Sequence, residues 1–158
     1  MASTSTSTDR IQKHVIMRAP RARVWRAISH AEEFGKWFGA NLAGQGTFVA
    51  GARVRGPITY PGYEHLTLDI TVDRVEPERL ISFRWHPNDI DPKRDYSKEP
   101  TTLVVFELED VPEGTRLTVV ESGFDKIPIE RRAEAYRGNE GGWAEQMERI
   151  KTYVDQTA

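Results

Sequence analysis

Glu121 is the polar residue whose position in the sequence says most about possible chemistry. It follows Leu117 and Val119 at the same strand parity, so a regular strand directs its carboxylate into the protein. There it would hydrogen-bond a ligand or act as a general acid or base, and burial would require a partner or a proton. In the alternative, the strand ends at Val120 and Glu121 faces solvent. We favour this alternative because strand ends are poorly defined by sequence, and we treat Glu121 as a weak catalytic candidate.

No other pattern in the sequence is typical of catalysis or metal binding. The four His residues, at positions 14, 30, 65 and 86, lack the spacing of a zinc site. GxSxG, P-loop and strand-linked GxGxxG motifs are absent, which argues against serine hydrolases and nucleotide-binding proteins. The chain has no Cys, which excludes thiol nucleophiles and disulfides. We therefore expect neither a metal nor a cofactor.

Aromatic residues form the second group of candidates. Many fall at inward positions of predicted strands and helices, where such side chains pack the core first and contact ligands second. We prefer Trp85 and Trp143 as ligand contacts, and we place Tyr60 and Tyr63 at the rim of a cavity. The complete set of predicted ligand-binding residues is Trp37, Phe38, Tyr60, Tyr63, Phe83, Trp85, Phe106, Glu121, Tyr136, Trp143 and Met147.

The composition fits one globular domain. The chain has 158 residues, of which 38% are hydrophobic, and its formal charge of -2 argues against nucleic-acid or anionic-membrane partners. The polar start of the chain predicts a disordered tail over residues 1–9, followed by one domain over residues 10–158. Neither a signal peptide nor a membrane-spanning run is recognisable, so we expect a cytoplasmic protein.

The spacing of apolar residues predicts the elements that position these candidates. One strand is followed by two short helices, the second carrying Phe34, Trp37 and Phe38 at helical spacing. About six antiparallel strands follow between residues 47 and 122, with the clearest alternation over residues 66–72. A long helix is predicted over residues 142–156. A kink or a separate helix is expected over residues 130–137, because three Gly residues lie between the two segments.

Two polar segments have no assigned chemistry. Residues 86–100 contain three Pro and seven charged residues, which indicates either a flap over a site or disorder, with equal weight. A basic run contains Arg18, Arg21, Arg23 and Arg26. We interpret it as a solvated helix face rather than a nucleic-acid-binding patch.

The order of elements predicts an α+β fold in which a curved antiparallel sheet of six to seven strands wraps around the C-terminal helix. Over residues 10–156 the chain also resembles the SRPBCC superfamily, in the branch related to the C-terminal domain of the ninety-kilodalton heat-shock chaperone's ATPase activator. The resemblance rests on four segments: Ala19-Pro20 with Val24-Trp25, Lys36-Trp37-Phe38-Gly39, Glu121-Ser122-Gly123-Phe124, and Gly142-Trp143 with the apolar helix positions after it.

This resemblance implies the helix-grip fold of START domains, pollen-allergen-like proteins and polyketide cyclases, with a hydrophobic cavity under the long helix. Our leading hypothesis is a binding protein for a hydrophobic or aromatic small molecule such as a lipid or polyketide. One alternative is a polyketide cyclase or aromatase. The other is a stress-response protein that stimulates a chaperone ATPase, ranked last because the separate chaperone-binding domain of the full activator is not recognisable. Homodimerisation through a strand edge stays open.

Overall fold

The described part of the chain, residues 9–87 and 93–157 of a computed structural model, contains six strands and three α-helices. A short 3₁₀ helix precedes the last helix. In chain order the elements are β1 (Arg10–Met17), α1 (Arg21–Ser29), α2 (Ala31–Phe38), β2 (Arg53–Pro57), β3 (Thr67–Glu76), β4 (Leu80–Trp85), β5 (Thr102–Val111), β6 (Gly114–Ser122), the 3₁₀ helix (Phe124–Lys126) and α3 (Ile129–Thr157).

The strands form one curved antiparallel sheet in the order β1-β6-β5-β4-β3-β2. The first strand thus lies beside the last one, and the connections between β2 and β6 join neighbouring strands. A register shift between Val72 and Arg74 interrupts the pairing of β3 with β4. Such bulges bend and twist a strand. The α+β helix-grip fold predicted from sequence is confirmed.

Alternating burial follows the predicted pattern most clearly in β3. Leu68, Ile70 and Val72 are buried, while Thr67 and Thr71 are exposed. The segment around residue 48 behaves differently from expectation, because it makes only an isolated bridge between Thr47 and His30. The described sheet therefore has six strands, the lower of the two predicted numbers.

Helix α3 is continuous, which corrects the predicted break near residue 138. Its 29 residues correspond to a length of about 43 Å at 1.5 Å per residue. Trp143, Met147, Ile150 and Val154 form a buried stripe along it. Packing of this stripe against the sheet offsets the low helix propensity of the glycines. None of the helices within the described ranges is both long and apolar enough to cross a membrane.

Helices α1 and α2 cover one end of the space between the sheet and α3. Arg23 on α1 departs from the predicted solvated face, because its side chain is only 9% exposed and pairs with Glu33 at 3.0 Å. Glu33 also accepts hydrogen bonds from Arg26 and from the Tyr153 hydroxyl. Partial burial raises the pKa of Glu33, but these bonds and the two guanidinium charges together outweigh it, so the pKa lies below its ordinary value. Glu33 thus joins α1, α2 and α3 through Arg23, Arg26 and Tyr153.

Candidate functional site

The side chain of Glu121 is completely buried, which corrects our preference for a solvent-facing carboxylate. Strand β6 continues to Ser122, and Glu121 lies opposite Ile11 on β1 and Val104 on β5. Because strands on both sides hold this part of β6, the strand stays regular and the inward parity of the preceding residues extends to Glu121. The strand does not end at Val120.

Four neighbouring side chains donate hydrogen bonds to the Glu121 carboxylate. Trp143 Nε1 lies 2.7 Å from Oε1, and Trp85 Nε1 lies 2.7 Å from Oε2. The Thr102 hydroxyl donates to Oε2 at 2.5 Å, and Asn139 Nδ2 lies 2.9 Å and 3.0 Å from the two oxygens. Each oxygen thus accepts at least two hydrogen bonds, which compensates for the removal of the carboxylate from water.

This arrangement makes Glu121 a positioning residue for two aromatic side chains. The rings of Trp85 and Trp143 stack with centroids 5.6 Å apart and planes 27° apart. Both indole N–H groups point to the same carboxylate, so each ring is fixed by packing and by a charge-assisted hydrogen bond. A general acid or base must reach a proton of the substrate, and the Glu121 oxygens are already occupied by protein donors.

The elements that meet at this point are β4, β5, β6 and α3. Trp85 is the last residue of β4 and pairs with Thr102, the first residue of β5. Asn139 and Trp143 are one helical turn apart on α3 and therefore lie on one face of the helix. The long helix thus supplies two of the four donors, and the ends of two neighbouring strands supply the other two.

A cleft of about 160 Å³ opens between α3, the sheet and the end of α2. It is lined by Phe38, Trp85, Asn139, Gly142, Trp143 and Gln146. Three aromatic rings form most of its wall, and two side-chain amides supply its polar groups. Within residues 9–87 and 93–157, no three His, Asp or Glu side chains are grouped closely enough to hold a metal ion.

Three of the predicted ligand-binding residues line this cleft, namely Phe38, Trp85 and Trp143, and Glu121 lies behind the two indoles. A second group belongs to the packed core and does not line the cleft: Trp37, Phe83, Phe106 and Met147 are each at most 3% exposed. Their inward position was predicted, but inward position alone does not distinguish a cleft wall from core packing.

The three predicted tyrosines lie elsewhere. The Tyr136 hydroxyl donates to the backbone carbonyl of Arg10 at 3.0 Å, and its ring contacts Phe124. Tyr60 and Tyr63 lie side by side on the surface, with ring centroids 5.7 Å apart. None of the three lines the cleft that Trp85 and Trp143 border.

Asn139, Gly142 and Gln146 line the cleft but were missed from sequence. They precede or follow Trp143 by four, one and three residues, respectively. These spacings place Asn139 and Gln146 on the helix face of Trp143 once the helix is continuous through residue 139. The expected break near residue 138 hid this relation for Asn139, whereas Gly142 and Gln146 lay within the helix predicted over residues 142–156 and were not selected as candidates.

The chain after Trp85 is attached to the start of α3. Arg131 on α3 and Arg94 both bond the Glu99 carboxylate, each with an N–O distance of 2.7 Å. Burial raises the pKa of Glu99, but the bonds from these two guanidinium groups outweigh it, so the pKa lies below its ordinary value. Residues 88–92 of the segment expected to be either a flap or disordered lie outside the described residues, whereas residues 93–100 are held against α3 by these pairs.

Comparison with known proteins identifies the family. A family model described as "Activator of Hsp90 ATPase homolog 1-like protein" matches residues 18–155. The chain belongs to this family. The match confirms the resemblance given by the sequence motifs. Among curated proteins, none matches the chain.

Solved structures share the helix-grip fold. MLL2253 from Mesorhizobium loti is 25% identical with a TM-score of 0.71, and the match covers 94% of this chain and 98% of that protein. NE0264 from Nitrosomonas europaea is 17% identical with a TM-score of 0.71, covering 97% and 98%. DynU16, from the dynemicin biosynthetic locus, is 26% identical with a TM-score of 0.70, but the match covers 94% of this chain and 48% of DynU16.

Proposed function

We propose that this protein binds a small aromatic molecule in the cleft lined by Phe38, Trp85 and Trp143. The observation that carries the proposal is the pair of indoles held by one buried carboxylate at an aromatic cleft. Proteins with this fold commonly bind hydrophobic ligands or act as polyketide cyclases. That analogy supports the class of function, and the cleft itself supports its location.

The size of the cleft favours a ligand of about one ring. Pockets for drug-sized ligands measure roughly 300–1,000 Å³, whereas an apolar cavity of roughly 150 Å³ accommodates benzene. The cleft here, at about 160 Å³, is close to the second value. A long-chain lipid or an extended polyketide would need further space, so we place these ligands behind single-ring molecules.

The hydrogen bonds of Glu121 favour binding because they fix the cleft wall before a ligand arrives. A free indole at a protein surface loses rotamer freedom when a ligand orders it, and this loss reduces affinity. Trp85 and Trp143 are already ordered by their bonds to Glu121. The ligand therefore gains aromatic contact with little additional ordering cost.

A cyclase or aromatase is the second candidate, favoured by the fold and by the similarity to DynU16, a protein in the dynemicin biosynthetic locus. Such an enzyme needs a general acid or base that reaches its substrate. Glu121 does not meet this need while four donors occupy its oxygens. We therefore rank the enzyme below the binding protein, and stimulation of a chaperone ATPase below both. An ATPase assay with the chaperone tests that last candidate, and no stimulation would end it.

Calorimetric titration with a panel of ligands tests the proposal. The panel contains single-ring molecules (phenol, toluene, benzyl alcohol), the two-ring 2-naphthol and the long-chain fatty acid laurate. We expect the single-ring molecules to bind in the millimolar range or tighter, because ligands of so few atoms make few contacts. Binding of none of them would refute the proposed function.

Two glycines of α3 provide matched variants for the same titration. Apart from the neighbouring backbone of α3, a Cβ atom at either Gly141 or Gly142 would have no heavy atom within 4 Å, but only Gly142 lines the cleft. Gly142→Leu places a side chain at the cleft and should abolish single-ring binding, whereas Gly141→Leu should leave the affinity unchanged. Equal affinities of the two variants would locate the ligand elsewhere.

A further inference from the structure

The buried carboxylate of Glu121 carries a charge that no cationic side chain balances. Its donors are two indoles, a hydroxyl and an amide, all of them neutral groups. Among the described residues, Glu121 takes part in no ion pair, whereas Glu33 and Glu99 each pair with two arginines. Buried charges in proteins are usually paired, so the exception at Glu121 requires an explanation.

The cleft beside this carboxylate is lined by three aromatic rings, a glycine and two amides, and none of these groups is charged. The two indole N–H groups and the Asn139 amide donate to Glu121. The Gln146 amide nitrogen donates to a backbone carbonyl at 2.9 Å. An anionic ligand is held by cations or by N–H donors, and the side-chain N–H groups of this lining are already engaged. The cleft is therefore unsuited to an anion.

We infer that the ligand is an organic ammonium ion of about one ring, such as an arylalkylamine, and that the charge of Glu121 attracts it across the two indoles. The inference rests on the proposed function and adds the charge of the ligand. The ligand contacts the rings and does not touch the carboxylate, which is completely buried. Aromatic rings accommodate cations because their faces are negative, and tryptophan does so best.

The distance between the two charges sets the size of the attraction. A ligand against the indoles is separated from the carboxylate by one hydrogen bond and one ring, roughly 8 Å. At that separation, an attraction between unit charges near a protein surface changes a dissociation constant by about three- to thirtyfold. An anion is repelled by a similar factor. Cations and anions both lose hydration on binding, so a comparison of the two removes most of that cost.

The experiment compares three single-ring molecules of similar size and different charge by calorimetric titration: benzylammonium, benzyl alcohol and benzoate. At neutral pH the amine is protonated and the acid is ionised, as lysine and aspartate side chains are. We expect the unmodified protein to bind benzylammonium most tightly and benzoate most weakly. The dissociation constants of these two ions should differ by about tenfold or more.

Two variants locate the charge that is responsible. Glu121→Gln removes the buried charge and retains the size of the side chain, and Glu107→Gln removes one charge from an exposed position on β5. In Glu121→Gln, the preference for benzylammonium over benzyl alcohol should fall by about three- to thirtyfold. In Glu107→Gln it should stay unchanged. If Glu121→Gln does not fold, the order of the three molecules in the unmodified protein decides.

Each of the other outcomes has a separate meaning. Benzyl alcohol or benzoate binding at least as tightly as benzylammonium to the unmodified protein would overturn the inference and leave the proposed function standing. A preference for benzylammonium that persists in Glu121→Gln would also overturn it, because another acidic group would then attract the cation. Failure of all three molecules to bind, together with phenol and toluene, would refute the proposed function itself.

Discussion

The space between the sheet and α3 has two ends that differ in how their aromatic side chains are used. At one end, Phe34 is surrounded by core rings with centroids 4.8–6.3 Å away: Trp37, Phe48, Phe83 and Phe106. This packed end is filled by side chains. At the other end, Trp85 and Trp143 bond a buried carboxylate and line an open cleft.

The hydrogen-bond partners of the tryptophan indoles explain the difference between the packed end and the cleft end. Trp37 at the packed end donates its indole N–H to the backbone carbonyl of Ala27 at 2.8 Å. Trp85 and Trp143 at the cleft end donate theirs to Glu121, at 2.7 Å each. All three are largely buried aromatic residues, so residue type does not separate core from cleft. The buried carboxylate does, because it holds two large rings at the edge of the packed region.

The largest loss of stability is expected from removal of the Glu121 carboxylate. Glu121→Ala leaves the indole, hydroxyl and amide donors around it without their acceptor, and each unsatisfied buried donor costs about 1–3 kcal/mol. We expect the free energy of unfolding to fall by about 4–6 kcal/mol in urea denaturation. The control is Glu107→Ala on β5, an exposed site where we expect a change of about 0.5 kcal/mol or less. Similar losses for both variants would contradict the account.

The second prediction compares the loss of stability for two phenylalanines of α2. Phe34 lies at the packed end of the space between the sheet and α3, and Phe38 lies at the cleft end. Phe34 is buried and Phe38 is half-buried at the cleft. Phe34→Ala should lower the free energy of unfolding by about 3–5 kcal/mol because it leaves a cavity in the packed end. Phe38→Ala should cost about 1–2 kcal/mol, since less buried area is lost, and should admit 2-naphthol to the widened cleft. Equal losses would show that both ends are packed alike.

A smaller loss of stability is expected at acidic pH, and it arises from Glu99 in the segment that follows Trp85. The pKa of Glu99 is lower in the folded protein than its ordinary value of 4.5, so its ionised form stabilises the fold. This contribution is fully present above about pH 4.5 and is lost as the pH falls through the lower folded value. Unfolding curves from pH 6 to 3 should therefore show a shallower loss of stability for Glu99→Gln. An unchanged slope would mean that the ion pairs of Glu99 with Arg131 and Arg94 add nothing.

The smallest effect concerns the continuity of α3 beside the cleft. Gly141→Ala should raise the free energy of unfolding by up to about 1 kcal/mol, because alanine is the better helix former and its Cβ meets no heavy atom within 4 Å besides the neighbouring backbone of α3. Gly35→Ala on α2 is the contrasting variant. Its Cβ would lie 2.2 Å from the Ala40 carbonyl oxygen, and we expect a loss of stability. Destabilisation by Gly141→Ala would indicate a break in α3.

The sequence was sufficient for the fold because the alternation of β3 and the apolar stripe of α3 are local patterns. It was not sufficient for the site. Whether Glu121 points inward depends on its pairing with Ile11 and Val104, which are distant in the chain. The place of Asn139 on the helix face of Trp143 became visible only with a helix that tertiary packing maintains across its glycines. In each case a non-local interaction decided a local conformation.

The most direct test of the division into two ends is the NMR signal of the four tryptophan indole N–H groups during titration with phenol. Trp→Phe variants assign the four signals. We predict that the signals of Trp85 and Trp143 shift with increasing phenol, because both rings line the cleft, while those of Trp25 and Trp37 remain unchanged. Equal shifts of all four signals, or a shift of Trp37 without those of the cleft pair, would contradict the account.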